Sequence, residues 1–214
     1  MNRLVPLFVG AVGILVFATV MLVVLPGLQV RTVQAPPELS KYTVEQMRGR
    51  QQYVANGCVY CHSQQPRSTG QTLADQARGW GRPSTPGDYA YDAPQLLGTM
   101  RTGPDLLNVG ARLPSQDWHL THLYQPRAIF DWSIMPSYPF LFETKEKAAP
   151  GDVVVKLPEA YRPKDGKVVI ARQEALDLVK YLLSLDRTYP VSAEEAALRD
   201  RGFDPKPDQA STGR

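Results

Sequence analysis

Cysteine and histidine are scarce in this chain, whose 214 residues include two cysteines and three histidines. A single cysteine pair cannot build the framework of several disulfides on which small secreted domains depend. The absence of a second cysteine pair and of a His-x-x-x-His pattern excludes the common structural zinc sites. The net charge is only +3, so the charge balance gives no indication of a nucleic-acid partner. Proline is abundant, with 19 residues, which favours long ordered loops over regular sheet.

The two cysteines stand together in the segment Cys58-Val59-Tyr60-Cys61-His62. This spacing is typical of covalent attachment of a c-type haem, in which each thiol forms a thioether with one vinyl group of the same porphyrin. A redox dithiol does not require the histidine that follows, and the flanking sequence lacks a βαβ pattern. The motif therefore predicts one covalently bound haem c, attached at Cys58 and Cys61, with His62 as an axial ligand of the iron.

The chain carries no charged residue from Leu4 to Leu28. A helix needs about 20 apolar residues to cross a membrane, whereas the apolar region of a cleaved signal peptide is typically about 7–15 residues. The one small-residue site, Val33-Gln34-Ala35, precedes Pro36-Pro37, which is a poor cleavage context. We therefore predict an uncleaved transmembrane anchor over residues 1–30.

Pro26-Gly27 is predicted to end the anchor helix, because proline lacks the N–H that a helix interior needs. Haem c is attached outside the cytoplasmic membrane in bacteria, so the short N-terminus is predicted to be cytoplasmic and the chain after Val30 periplasmic. The protein is thus predicted to be a single-pass protein of the bacterial inner membrane. Residues 31–42 are predicted to form an extended linker.

Three helices are predicted after the linker. Thr43 and Gln46 fit a capping box that begins a helix running to about Asn56, where Gly57 ends it. A short helix is predicted at Asp117–Leu123. The clearest helix is Arg172–Asp186, because its apolar residues recur at the i, i+3, i+4, i+7 spacing.

Three other segments have no helical period. Residues 63–103 are predicted to form a long loop with short turns, one at Pro86-Gly87-Asp88. Residues 151–171 are predicted to form a two-stranded β-ribbon insertion, in which Val153-Val154-Val155 pairs with Lys167–Ile170 across an Asp-Gly turn. Residues 191–214 form a polar tail with a predicted short helix at Ala193–Arg199.

The second axial ligand has several candidates, namely Met47, Met100, Met135, His119 and His122. Met47 lies on the helix that leads into the haem motif, which cannot fold back onto the opposite haem face. Met100 remains possible, and the two histidines, spaced i, i+3, suit local hydrogen bonds or a haem propionate. Met135 lies in a proline-stiffened loop far enough downstream to wrap the haem, and thioether ligation raises the potential. We predict Met135.

Several segments occur together and in one order, and they resemble the membrane-anchored monohaem cytochrome c subunit (subunit II) of cbb-type haem–copper oxidases. The resemblance covers about residues 41–142 and the helix at 172–186. It depends on these segments: Cys61-His62-Ser63-Gln64, Gly87-Asp88-Tyr89, Arg101-Thr102-Gly103-Pro104-Asp105-Leu106, Trp118-His119, Pro126-Arg127 and Ser133-Ile134-Met135-Pro136-Ser137-Tyr138-Pro139.

The resemblance implies a mainly α architecture, in which the transmembrane helix precedes a class I cytochrome c domain over residues 43–190 with long loops and the small ribbon. The first and last helices of that domain are then expected to cross near the haem, with Gly49 and Tyr53 facing Leu178 and Tyr181. The resemblance also implies that the Pro104 carbonyl accepts the ring N–H of His62. Arg101 is assigned to the same cofactor site.

The function that the resemblance implies is electron transfer, with no catalytic residue in this chain. Electrons would pass from a cytochrome c donor to a catalytic haem–copper membrane subunit that reduces oxygen. One alternative is the cytochrome c subunit of a nitric oxide reductase. Another alternative, from a different class, is a haem-based sensor or ligand-binding protein, which needs an open iron position that Met135 would fill.

Overall fold

The computed structural model of the chain describes residues 4–67 and 75–191. The predicted tail, with its short helix at Ala193–Arg199, lies outside the described residues apart from Val191.

One long apolar helix forms the N-terminal part of the protein. It runs from Leu4 to Arg31 over 28 residues, with a mean hydropathy of 2.8 and no buried residue in its most apolar stretch. By length and composition it is a candidate membrane span. It consists of α1 (Leu4–Thr19), a π-helical turn (Val20–Val24) and α2 (Leu25–Arg31).

The prediction that Pro26-Gly27 ends this helix is wrong. A proline ring clashes with the carbonyl four residues earlier in an α-helix, and that carbonyl belongs to Leu22, inside the π-helical turn. The N–H of Leu25 bonds to the carbonyl of Val20 across five residues. The wider π-helical turn accommodates the proline, so the helix continues for another turn beyond it.

Helix α3 (Val44–Ala55) begins with the predicted capping box. The Thr43 hydroxyl accepts the Gln46 N–H at 3.3 Å, and the Gln46 side chain accepts the Thr43 N–H at 2.8 Å. The helix stops before Gly57, which has a φ of +71°. The capping box and the terminating glycine thus give the helix the bounds expected from the sequence.

Helices α3 and α6 (Gln173–Ser184) cross in close contact. Gly49 permits this approach, because a Cβ there would overlap the Asp177 carbonyl of α6. Beside it the buried rings of Tyr53 and Tyr181 meet edge to face, with their centroids 5.6 Å apart. The apolar side chains of α3 lie instead on its exposed side, namely Val44, Met47 and Val54.

Strand β1 (Phe142–Lys145) pairs antiparallel with β2 (Val168–Ala171), with Phe142 opposite Ala171. The predicted second strand of the ribbon is present, and the predicted first strand, Val153-Val154-Val155, lies antiparallel to it with a bridge from Val154 to Ile170. Two backbone hydrogen bonds of 2.9 Å support this pairing, from Val155 to Val169 and from Ala171 to Val153. The longer strand that pairs with β2 is nevertheless β1. The ribbon therefore begins before residue 151. Its first strand reads Phe-Glu-Thr-Lys, which has only one β-branched residue and gives little strand signal.

The remaining helices are α4 (Val109–Arg112) and α5 (Gln116–Tyr124). They pack with α3, α6 and the ribbon around one hydrophobic core, to which Leu120, Leu123, Leu141, Val169, Leu178 and Val179 contribute. The predicted fold class is confirmed: the described chain is mainly helical, with one N-terminal apolar helix and a small two-stranded sheet, consistent with a cytochrome c domain.

The described parts of the long loop, residues 63–67 and 75–103, contain no α-helix. A short 3₁₀ turn at Pro86–Tyr89 confirms the predicted turn. Two ion pairs within the loop fix its shape, Arg82–Asp88 at 2.8 Å and Arg101–Asp75 at 2.6 Å, and both carboxylates are fully buried.

Candidate cofactor site around the cysteine pair and His62

Both cysteines and His62 extend from one tight turn. Beyond α3 the chain forms a 3₁₀ turn at Cys58–Tyr60, where the carbonyl of Cys58 accepts the N–H groups of Cys61 (3.2 Å) and His62 (3.0 Å). Both cysteine side chains are partly exposed. Burial raises the pKa of the Cys58 thiol to about 11. Two thiols and one imidazole are thereby presented together to a single bound group.

The imidazole of His62 is held by the segment that follows the long loop. Its Nδ1 lies 2.8 Å from the carbonyl oxygen of Pro104. Gly103 packs flat against the ring, because a Cβ at this position would overlap it. A carbonyl can only accept, so Nδ1 carries the proton and Nε2 keeps its lone pair. Burial lowers the pKa of His62, which favours the neutral form that a metal ligand requires.

Arg101 contacts protein groups on all sides. Its guanidinium donates to Asp75 at 2.8 and 2.6 Å, to the Gln65 carbonyl at 2.8 Å and to the Ser63 hydroxyl at 3.1 Å. Asp105 accepts from the same Ser63 hydroxyl at 2.6 Å. These contacts tie the residues after the motif to the Pro104 segment. Arg101 is therefore a positioning residue in this structure, and a direct contact with a cofactor stays a prediction.

Arg112, the last residue of α4, is a site residue that the sequence analysis missed. Its Nη2 donates to the carbonyl of Asp105 at 2.5 Å, and its buried Nε has no hydrogen-bond partner among the described residues. No ion pair is seen for it in the described part of the chain, although burial lowers its pKa and its charge opposes protonation of His62. A single arginine in a four-residue helix gave no sequence signal.

The Met135 loop lies against the cysteine turn. Met135 is half-buried and packs against the hydrophobic core, and the N–H of Tyr138 bonds to the Leu123 carbonyl at 2.9 Å. The Tyr138 side chain lies near both thiols, Cys58 and Cys61. Burial, followed by the two thiols, raises the pKa of Tyr138 to about 12. The fold thus brings together the loop that carries Met135 and the turn that carries His62.

The other candidate ligands lie elsewhere or are engaged. Met47 and Met100 are 40% and 56% exposed. His119 is buried, and its Nε2 lies 2.9 Å from the carbonyl oxygen of Leu113. His122 stacks on Trp118 at 4.7 Å, and burial lowers its pKa to about 4. The loop that carries Met100 also lies against the cysteine turn, through Gly98. Of the two methionines, Met135 is the one that packs against the hydrophobic core.

The residues around the turn fit a haem. Beside the thiols and the free Nε2 of His62, partly buried apolar side chains border the core at this point, namely Val59, Leu96, Leu106, Leu113, Met135 and Tyr138. No group of three or more His, Cys, Asp or Glu side chains suited to a bare metal ion occurs in residues 4–67 and 75–191. The donor set is that of a ligated porphyrin iron.

A family model described as "Cytochrome C oxidase, mono-heme subunit/FixO" matches residues 1–159. The match includes the N-terminal helix, the cysteine turn, Pro104 and Met135, and it ends before β2 and α6. No curated protein matches the chain at a significant level of similarity.

Proposed function

The chain belongs to the family of mono-haem cytochrome c oxidase subunits, and we propose that it is the one-electron carrier of such a complex. It accepts electrons from a cytochrome c donor and passes them to the catalytic haem–copper subunit. The family implies a complex with a catalytic oxidase subunit and a single haem. Beyond what the family implies, we propose the direction of electron flow and the identity of the haem ligands.

The observation that carries the proposal is the fixed imidazole of His62. Its Nδ1 is held 2.8 Å from the Pro104 carbonyl, and the ring rests against Gly103. This orients Nε2 as an iron ligand and makes the imidazole more electron-donating. Cys58 and Cys61 would hold the haem covalently, and His62 and Met135 would ligate its iron. When bound, the haem supplies reversible one-electron chemistry at its iron.

Arg112 is suited to hold a haem propionate. A half-buried guanidinium without a carboxylate partner is unfavourable, and a propionate beside His62 would compensate its charge. Arg101 acts indirectly on the site, because it fixes the loop that carries Pro104 and Asp105. The propionate contact proposed for Arg112 is additional to the contact predicted for Arg101.

Two axial ligands leave no iron position for an external ligand. Oxygen chemistry therefore belongs to the catalytic subunit, and a sensor or ligand-binding role is not supported. The match to a cytochrome c oxidase family favours oxygen over nitric oxide as the final acceptor.

The helix Leu4–Arg31 is the candidate membrane span that would keep the haem domain beside its partner. Because haem c is attached outside the bacterial cytoplasmic membrane, we place the domain of residues 43–190 on the periplasmic side, with residues 31–42 as the linker. A tether of this kind raises the effective concentration of the haem at the partner without tight binding.

The test is purification of the complex in mild detergent through a tag on this chain. We expect b-type haem of the catalytic subunit to co-purify. After anaerobic reduction by cytochrome c, admission of oxygen should reoxidise the c-type haem at the turnover rate. A c-type haem that stays reduced while oxygen is consumed would contradict the proposal. Consumption of nitric oxide instead of oxygen would favour the alternative reductase.

A further inference from the structure

The segment between the membrane helix and the haem domain is short and partly docked. The helix ends at Arg31, and the next N–H, that of Thr32, turns back to the Gln29 carbonyl at 3.1 Å. Leu39 is already buried, with 8% of its surface exposed, and its N–H bonds to the Pro36 carbonyl at 3.0 Å. Only residues 32–38 separate the helix from the first buried contact.

Tyr42 anchors the end of this segment in the domain. Its ring packs on Tyr181 of α6 at 5.8 Å, and its hydroxyl accepts from Nη2 of Arg187 at 3.2 Å. The preceding side chain, Lys41, lies over the ring of Tyr91 at 5.7 Å. The end of the linker thus contacts the last helix, the long loop and the segment after α6.

The partner of the Tyr42 hydroxyl is itself immobilised. Arg187 is 3% exposed, its Nε donates to the Asp88 carbonyl at 3.0 Å, and its backbone N–H donates to the Asn108 side chain at 2.7 Å. Its Nη1 donates to the carbonyls of Ser184 and Asp186. A tyrosine bonded to such a guanidinium is fixed relative to the whole domain, because a hydrogen bond to a charged group is among the stronger ones.

We infer that residues 39–42 form a fixed strut, defined here as Leu39, Ser40, Lys41 and Tyr42, that restricts the orientations and distances of the haem domain relative to its membrane anchor. The free part of the linker, residues 32–38, reaches at most about 25 Å even when fully extended, and Pro36-Pro37 stiffens it. The expectation of an extended linker over residues 31–42 therefore applies only to the part before Leu39.

The functional consequence rests on the proposed electron transfer. Electron transfer between two haems slows steeply as their separation grows, so an anchor that restricts the position of the domain also affects the rate of transfer into the catalytic subunit. Loosening the strut is expected to leave the haem itself unchanged and to slow only the step between subunits.

Limited trypsin digestion of the purified complex tests the strut without electron transfer. In the wild type the bond after Lys41 should resist cleavage, while the exposed Lys147 and Lys164 serve as internal references. Tyr42→Ala should speed cleavage after Lys41 by about tenfold or more, because it removes a hydrogen bond to a charged group and the ring contact. Tyr42→Phe keeps the ring and should give a smaller increase. Cleavage after Lys41 as fast as after Lys147 in the wild type would overturn the inference.

The same variants test the orientation. In rapid-mixing experiments on the complex, Tyr42→Ala should slow electron transfer from the c-type haem to the catalytic subunit several-fold, with an unchanged haem spectrum and midpoint potential. Unchanged transfer in a variant with a loosened strut would refute the orienting role. A wild-type complex whose c-type haem passes no electrons would instead refute the proposed function, while the digestion result still decides whether the strut is fixed.

Discussion

The two loops that enclose the cofactor site are held in place by opposite means. The long loop before Pro104 is fixed by ion pairs whose carboxylates, on Asp75 and Asp88, are fully buried. The Met135 loop, residues 126–141, makes no ion pair with any residue in 4–67 or 75–191. It is held by backbone bonds and apolar packing, and it exposes Trp132 (77%) and Ile134 (73%).

The two sides of the proposed haem are therefore held by different kinds of contact. The His62 side is fixed by the protein alone, because buried polar partners determine where Gly103 and Pro104 lie. The Met135 side depends on apolar contacts and on the bound group. We therefore expect substitutions on the His62 side to reduce stability, and substitutions on the Met135 side to change the properties of the haem.

The largest effect is expected for Asp75→Ala. Removing one partner of a buried pair leaves the Arg101 guanidinium with only the longer contact to Asp105, at 3.8 Å, which costs up to about 3–5 kcal/mol of the free energy of unfolding. Thermal unfolding should show a decrease in Tm of roughly 10 °C or more. Asp131→Ala, in the exposed part of the Met135 loop, is the matched control and should change stability by less than about 0.5 kcal/mol. Equal effects of the two substitutions would remove the contrast between the loops.

Gly103→Ala should be the next most damaging change. The added methyl group meets the His62 ring, and overpacking of this kind costs about 1–3 kcal/mol. Because the ring must move, the absorption spectrum of the haem should change as well. The neighbouring exposed Thr102→Ala is the control, and a wild-type spectrum in both variants would contradict the close packing of Gly103 on the imidazole.

The free energy of unfolding is expected to depend on pH through His122. Burial, followed by the charges of His119 and His62, lowers the pKa of His122 from 6.5 to about 4. Between these values the unfolded chain binds a proton that the folded chain does not, so the free energy of unfolding falls as the pH drops from 6.5 towards 4.

His122→Phe retains an aromatic ring beside Trp118 but has no group to titrate. The decrease in Tm between pH 7 and pH 4.5, measured by calorimetry, is expected to be smaller in this variant than in the wild type. His119→Phe should act in the same direction, since burial also lowers the pKa of His119. Parallel pH profiles for the wild type and His122→Phe would exclude this role of His122.

Local sequence signals predicted much of the fold. The capping box at Thr43, the terminating Gly57 and the apolar stripe of α6 depend on neighbours within a few residues, and the structure has all three. The predicted end of the N-terminal helix was wrong because a π-helical turn at Val20–Val24 relieves the clash of Pro26. No residue pattern in the sequence indicated that turn.

Long-range pairing was less predictable. The sequence favoured a valine run as the first strand of the ribbon, whereas the structure pairs β2 with Phe142–Lys145. In the candidate site, the motif identified the cysteines and His62, but the roles of Arg101 and Arg112 depend on which carboxylates the tertiary fold brings near each guanidinium. Asp75 lies 26 residues before Arg101 in the same long loop, and sequence spacing alone did not connect them.

The most direct test of the central claim compares Met135→Ala with Met100→Ala in the oxidised protein. Met135→Ala should retain the covalent haem on a denaturing gel, lose the sulfur–iron charge-transfer band and show a lower midpoint potential, because the thioether stabilises ferrous iron. Met100→Ala should keep both the band and the potential. A band that survives in Met135→Ala and disappears in Met100→Ala would contradict the assignment of Met135 as the ligand opposite His62.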